Sequence, residues 1–342
     1  MNAKIDNVQG STASEIEILD TTLRDGSYAA DFQLEEDLVV DVMRGLDASG
    51  IKFIEMGHGV GIEAERTGAR ASNISLDALC DLANDNISKA KWGVFAQPGF
   101  SRLKTIEKLC SKGMSFLRVG VELDALEGAA DYLHAVTEIC DEVHFNLMKT
   151  SDTTAEQMLS ISHNVPEKIK TFYIVDSYGA MAPDQVDTYV RKIQGRFPTI
   201  GFHGHDNLGL ANANGLAAIA AGASLVDGTL HGIGRGSGNS ATEALAGILV
   251  VQGKGQYKYQ QLAQLADQFR REVQALDCDR YLQVLGGVIG VHTGLFPLIE
   301  ELCSELTVNP ATVMEKASRI APQGPRECDV RAAAQEIALQ NA

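Results

Sequence analysis

The feature that most constrains this chain is an alternation. From Ile16 to about Val251, short β-rich runs and amphipathic stretches take turns eight times. The strand candidates are 16–22, 52–58, 91–97, 116–122, 143–150, 171–177, 199–206 and 224–230. A helical pattern follows each of them, near 35–49, 76–89, 102–112, 128–140, 154–163, 183–195, 210–221 and 240–252. Pro183 fits the first turn of its helix, and Gly50, Gly113 and Gly222 fall where helices should stop. A parallel pair of strands cannot be closed by a tight turn, so the pattern means parallel strands joined by helical crossovers. Eight such units match a closed (β/α)8 TIM barrel, for which about 250 residues is typical. The competing open, doubly wound sheet would carry a nucleotide-binding glycine loop after its first strand, and DTTLRDG (20–26) is not one.

After Gln252 the alternation ends and only helical patterns remain, at 259–276, 295–306, 310–320 and 330–339. The expected organisation is a polar, disordered or extended N-terminal tail over 1–15, a barrel over 16–252 and a small helical C-terminal domain over 253–342, with a Gly-rich joint at 284–294 that can bring a loop to the barrel mouth. A net charge of −16 argues against a nucleic-acid surface, which needs clustered Lys and Arg. No apolar run is long enough to span a membrane. The tail lacks a signal peptide's apolar centre, and the six cysteines form no CxxC pair, so a cytoplasmic protein with reduced thiols is expected.

Active sites of such barrels lie at the C-terminal ends of the strands. Strand 7 ends in His203-Gly204-His205, and side chains two apart on a strand share a face, so both imidazoles can aim at one point. Strand 1 ends in Arg24-Asp25. Two imidazoles and a carboxylate make a three-ligand site with open positions, suited to a borderline divalent ion. Such an ion can chelate a 2-oxo acid and act as a Lewis acid when a C–C bond breaks. Arg24 beside it can stabilise a developing enolate oxygen. The plainer alternatives are a packing histidine with an N-cap neighbour, and a simple Arg24–Asp25 ion pair. Ser177, after strand 6, can hold a substrate carboxylate or merely cap a helix. The glycine-rich strand 8 loop (231–239) does not match a dinucleotide fingerprint; it suits close backbone approach, with Asn239 as a further metal ligand. Lys149, ending strand 5, can contact an anionic substrate, form a Schiff base or be simply solvated.

Five segments in order, TTLRDG, IEMGHGVG, VDSYGAM, FHGHDNLGLA and GIGRGSGNSATE, resemble the DRE-TIM metallolyases, the superfamily of the HMG-CoA lyases, and among them the class II aldolases that act on 4-hydroxy-2-oxovalerate. The resemblance implies a retro-aldol cleavage to pyruvate and an aldehyde. It implies Asp25, His203 and His205 as ligands of Mn2+, or of Mg2+, Co2+ or Zn2+, Arg24 on the enolate, and Ser177 and His58 near the substrate. It also implies a homo-oligomer and an acylating aldehyde dehydrogenase as a partner. This chain departs from the pattern in places. The family carries a His two positions after the LRDG glycine, where Tyr28 stands here, and its tyrosine-bearing GYAGVY segment looks like Gly287–His292. Tyr28 and His292 are therefore expected to share the proton transfer. The family's HGDG reads His58-Gly59-Val60-Gly61, without its acid. Rival readings are a Claisen-type lyase or synthase acting on an acyl-CoA, and a non-catalytic barrel scaffold.

Overall fold

The computed structural model describes residues 16–273 and 280–341; the expected tail, 1–15, lies outside them. Eight strands are present: β1 (Glu17–Leu23), β2 (Phe53–Met56), β3 (Lys91–Ala96), β4 (Phe116–Val121), β5 (Val143–Leu147), β6 (Thr171–Asp176), β7 (Thr199–Gly204) and β8 (Leu225–Gly228). They pair in parallel and in chain order, and β8 returns to β1, so the sheet closes with no free edge. Outside it lie α1 (Glu36–Ala48), α2 (Leu76–Asn86), α3 (Leu103–Ser111), α4 (Leu126–Ile139), α5 (Ala155–Ser162), α6 (Pro183–Lys192), α7 (Ala211–Ala221) and α8 (Thr242–Val251). The barrel is the fold expected from the alternation. Several strands end earlier than their sequence runs, because the rim residues leave the ladder: Gly57 and Lys149 both take positive φ, 124° and 54°.

The interior is filled in layers. The lower layer is apolar and aromatic, with Leu19, Phe53, Phe116, Tyr173 and Leu225 packed together. Small residues make room for it: a Cβ on Gly201 would lie 2.6 Å from the Tyr173 ring. Two residues further along the same strands, and so on the same inward face, the filling becomes charged. Glu55 follows Phe53, Arg118 follows Phe116 and Asp227 follows Leu225, all buried.

Helix α9 (Tyr259–Glu272) packs against α1 and α8, and its Leu262, Leu265, Ala266 and Phe269 belong to the barrel's outer apolar cluster. A separate cluster begins at Leu282 and unites α10 (Arg280–Ile289), α11 (Phe296–Leu306), α12 (Pro310–Ile320) and α13 (Glu327–Asn341). Apolar packing thus divides the chain after α9, whereas the sequence pattern alone draws the division at Gln252. Helix α10 also replaces much of the glycine-rich joint expected over 284–294. Its glycines serve close approach instead of loop freedom. A Cβ on Gly286 would lie 2.6 Å from the Phe296 ring, and one on Gly287 3.0 Å from Leu208. The helix docks on the loop after β7, where Asn207 Nδ2 donates to both the carbonyl and the side-chain oxygen of Gln283, each at 3.1 Å. Among the described residues, no helix is long and apolar enough to cross a membrane.

Candidate metal centre

The ends of β1 and β7 bring Asp25, His203 and His205 together, one donor atom from each lying within 4.8 Å of the others. Asp25 and His203 are buried, and His205 is half-buried. His203 Nε2 stands 3.5 Å from Asp25 Oδ2. Burial alone would raise the Asp25 carboxyl, but the Arg24 guanidinium and the two imidazoles outweigh it and hold the group well below the usual carboxylate range. Burial pulls His205 down to about 4 despite the opposing attraction of Asp25, so its ring is neutral near pH 7.

Both imidazoles are oriented from behind. His203 Nδ1 lies 2.8 Å from Asp227 Oδ2, and His205 Nδ1 lies 3.2 Å from the Gly238 carbonyl. Each partner only accepts, so each Nδ1 carries the hydrogen and leaves the Nε2 lone pair for a cation. Asn239 adds a fourth group. It is 5% exposed, and both of its side-chain polar atoms lack a hydrogen-bond partner. A Cβ on Gly234 would fall 2.1 Å from Asn239 Nδ2 and 3.1 Å from Asp25 Oδ1, so only a glycine lets this loop close over the two side chains. An ionised carboxylate, two imidazole lone pairs and an unsatisfied buried amide make a donor set that fits a divalent cation.

Behind the centre runs a closed circuit of charge. Asp25 Oδ2 accepts from Arg24 Nη1 at 2.8 Å, and Arg24 Nε donates to Glu55 Oε2 at 2.7 Å. Glu55 Oε2 also accepts from Arg118 Nη1 at 3.1 Å, and Arg118 Nη2 donates to Asp227 Oδ2, the oxygen that faces His203. Glu55, Arg118 and Asp227 were not singled out from the sequence. The available signal was a charged residue at the inward parity of a strand that is otherwise apolar.

The remaining expected residues divide by position. Ser177 Oγ accepts from the Lys149 N–H at 2.9 Å, and the neighbouring Asp176 carbonyl accepts from His205 N at 3.2 Å, which ties the end of β6 to the centre. Tyr28 lies over the rim, where a Cβ on Gly59 would fall 2.6 Å from its ring. His292 comes from the loop after α10 and meets Tyr178 edge to face at 5.8 Å. Burial, followed by the nearby charges of Arg235, Lys149 and His205, holds its imidazole well below the ordinary histidine value. Lys149 Nζ is 2.9 Å from Glu122 Oε2, turned toward an ion pair. His58 is not available as expected. Its Nε2 bonds to the Arg70 carbonyl at 2.9 Å and its Nδ1 accepts from Val60 N at 3.1 Å, so both ring nitrogens brace the loop after β2. Arg235, which sequence reasoning passed over inside the glycine-rich loop, donates its backbone N–H to Asp25 Oδ1 at 3.2 Å.

Comparison with known proteins answers the question of kinship. The HMGL-like family matches residues 15–268. A 4-hydroxy-2-oxovalerate aldolase from Carboxydothermus hydrogenoformans is 34% identical over 256 residues, 69% of this chain and 71% of that protein. An oxaloacetate decarboxylase from Mycobacterium tuberculosis is 34% identical over 241 residues, 70% of this chain and 71% of that protein. Among solved structures, the HMG-CoA lyase of Bacillus subtilis superposes with a TM-score of 0.63 at 22% identity, covering 79% of this chain and 97% of that one. The carboxyl transferase domain of Rhizobium etli pyruvate carboxylase superposes at 0.76 with 12% identity, covering 96% of this chain and 61% of that one. At these identities the two structures speak for the fold alone.

Proposed function

Since the chain belongs to the HMGL-like family, we propose that it is a divalent-metal-dependent class II aldolase that breaks or forms the C3–C4 bond of a 4-hydroxy-2-oxo acid, with pyruvate and an aldehyde as products of cleavage. One observation carries this reading: Asp25, His203 and His205 converge to within 4.8 Å, with Arg24 bonded to the same carboxylate. Asn239 completes the ligand set. A divalent cation bound there, Mn2+ before Mg2+, Co2+ or Zn2+, supplies Lewis acidity to the carboxylate and keto oxygens of a 2-oxo acid.

The chain's own residues do the rest. In cleavage the C4 hydroxyl gives up its proton, C4 becomes a carbonyl carbon, and the bonding pair moves onto C3 and the keto oxygen. A proton returned to C3 completes pyruvate. The Arg24 guanidinium meets the charge that develops on the keto oxygen. Ser177, whose Oγ already accepts from Lys149 N, keeps its own hydrogen for the substrate carboxylate. Tyr28 and His292 move the hydroxyl proton, and Lys149, paired with Glu122, adds positive charge nearby rather than a Schiff base. The reading keeps a cytoplasmic homo-oligomer that can hand its aldehyde to an acylating aldehyde dehydrogenase.

A second reading, decarboxylation of oxaloacetate, breaks the corresponding C3–C4 bond with CO2 as the fragment lost; similarity to the mycobacterial decarboxylase favours it. Metal analysis joined to a pyruvate-release assay tests both, across 4-hydroxy-2-oxo acids and oxaloacetate. The aldolase should purify with about one metal per chain, lose pyruvate release on chelation and regain it with Mn2+. Full turnover in the chelated protein would overturn the reading, and metal-dependent release from oxaloacetate alone would replace it with the second.

A further inference from the structure

In the proposed aldolase Ser177 takes the substrate carboxylate beside the keto group, and the far end of the molecule has no assigned partner. Arg235 bears on that end. It is half-buried at the tip of the loop after β8, and among the described residues its guanidinium has neither an ion pair nor a hydrogen bond. Three other guanidinium groups on the barrel's C-terminal side are answered: Arg24 by Asp25 and Glu55, Arg118 by Glu55 and Asp227, and Arg102 by Glu63. A partly desolvated cation without a counter-ion is costly, and a guanidinium fork is shaped to receive a carboxylate in two parallel bonds.

Three contacts set its position. Its backbone N–H holds Asp25 Oδ1 at 3.2 Å. Its guanidinium carbon stands 5.3 Å from the centre of the Tyr28 ring. A Cβ on Gly294 would lie 2.5 Å from its Nη2 and 3.2 Å from His292 Nδ1, so the cation is wedged against the loop that carries His292. A cavity of about 500 Å3 adjoins it, bounded by Tyr28, Arg235, Gln283, Thr293 and Phe296. Glu300 also lines this cavity but makes no ion pair with Arg235. With the 2-oxo acid end at Asp25, His203 and His205, and the C4 hydroxyl at Tyr28 and His292, whatever C4 carries extends toward Arg235.

We infer that Arg235 binds a second carboxylate on the C4 side of the substrate, so that this chain prefers 2-oxo dicarboxylates to 2-oxo acids with an uncharged tail. The orientation of the substrate rests on the aldolase reading; the anion site itself rests on the arginine. The reaction balances as before, with the carboxylate leaving on the aldehyde fragment as an oxo acid.

The test uses two unreactive ligands of equal chain length, 2-oxoglutarate and 2-oxopentanoate, titrated calorimetrically into the Mn2+-loaded full chain. The wild type should bind the dicarboxylate tighter by about tenfold or more, as a charge-assisted pair requires. Arg235→Gln should bring that ratio close to one, and Arg235→Lys should keep part of it. Because each ratio is taken within one variant, altered metal loading cancels. A wild-type ratio near one, or a ratio unmoved by Arg235→Gln, overturns the inference. Pyruvate release from 4-hydroxy-2-oxovalerate and 4-hydroxy-2-oxoglutarate, measured alongside, separates the two claims. Release without discrimination in binding retains the aldolase and rejects the anion site; discrimination without release does the reverse.

Discussion

His203 Nδ1 and Asp227 Oδ2 face each other at 2.8 Å across neighbouring strands, and the same oxygen accepts from Arg118. One carboxylate therefore fixes a candidate ligand's tautomer and ring orientation while neutralising a buried cation. Asp227→Asn keeps the shape and removes the charge. Mn2+ affinity should fall by about 10–100-fold, the usual cost of losing a partner behind a metal-bound histidine. Titration followed by electron paramagnetic resonance measures it, and wild-type affinity in the variant would remove Asp227 from any role in the centre.

Tyr28 and His292 come from distant parts of the chain, one from the first barrel loop and one from the helical region, and both lie beside Arg235. Tyr28→Phe and His292→Ala should each lower kcat by about 10²–10⁴-fold with a smaller change in KM. If the two act in one proton relay, the double variant should be little worse than the poorer single one. Full kcat in both single variants would leave the relay without support.

Asp20 gives a stability prediction with a definite sign. It is fully buried outside the barrel lumen, accepting from Thr22 N at 2.9 Å and Thr242 Oγ1 at 2.6 Å, and burial raises its carboxyl to about 6. The folded state thus holds a proton that the unfolded state releases near pH 4. Its favourable contribution is complete below that point and is lost as pH rises through 6, amounting to about 3 kcal/mol at most. Urea unfolding of Asp20→Asn should show a shallower loss of stability between pH 4 and 6 than the wild type. An unchanged slope would show that Asp20 is ionised in the folded chain throughout that range.

Gly286→Ala tests the docking of α10. In an ordinary helix interior the exchange stabilises by about 1 kcal/mol. Here the added Cβ meets the Phe296 ring at 2.6 Å and the Val291 carbonyl at 2.7 Å. Destabilisation by about 1–3 kcal/mol is expected, since overpacking against backbone cannot relax cheaply. Thermal melts would check it, and a raised Tm would mean that the contact yields freely.

Strand number and order were legible because a crossover fold repeats one local pattern, and the pair His203 and His205 was legible because strand parity is a local property. What escaped depended on distant partners. The nitrogens of His58 are occupied by Val60 and by Arg70, a loop away, and nothing near His58 announces the second bond. Glu55, Arg118 and Asp227 come from three strands far apart in the chain, so their circuit appears only when the barrel closes. Arg235 carries the same lesson in reverse: an arginine in a glycine-rich loop looks ordinary until the structure shows no counter-charge for it among the described residues. The helix at 280–289 was hidden by its own glycines, whose local preference for loops gives way to the close packing they permit.

The circuit behind the centre has a further consequence for electroneutrality. Three carboxylates, Asp25, Glu55 and Asp227, stand against two guanidinium groups, Arg24 and Arg118, leaving one uncompensated negative charge when His203 is neutral. A dication held by Asp25, His203 and His205 would invert that imbalance to one positive charge, which a single carboxylate would cancel. On that balance a dication would have to precede the acid, and a second carboxylate would have to find its charge outside the barrel lumen, at Arg235.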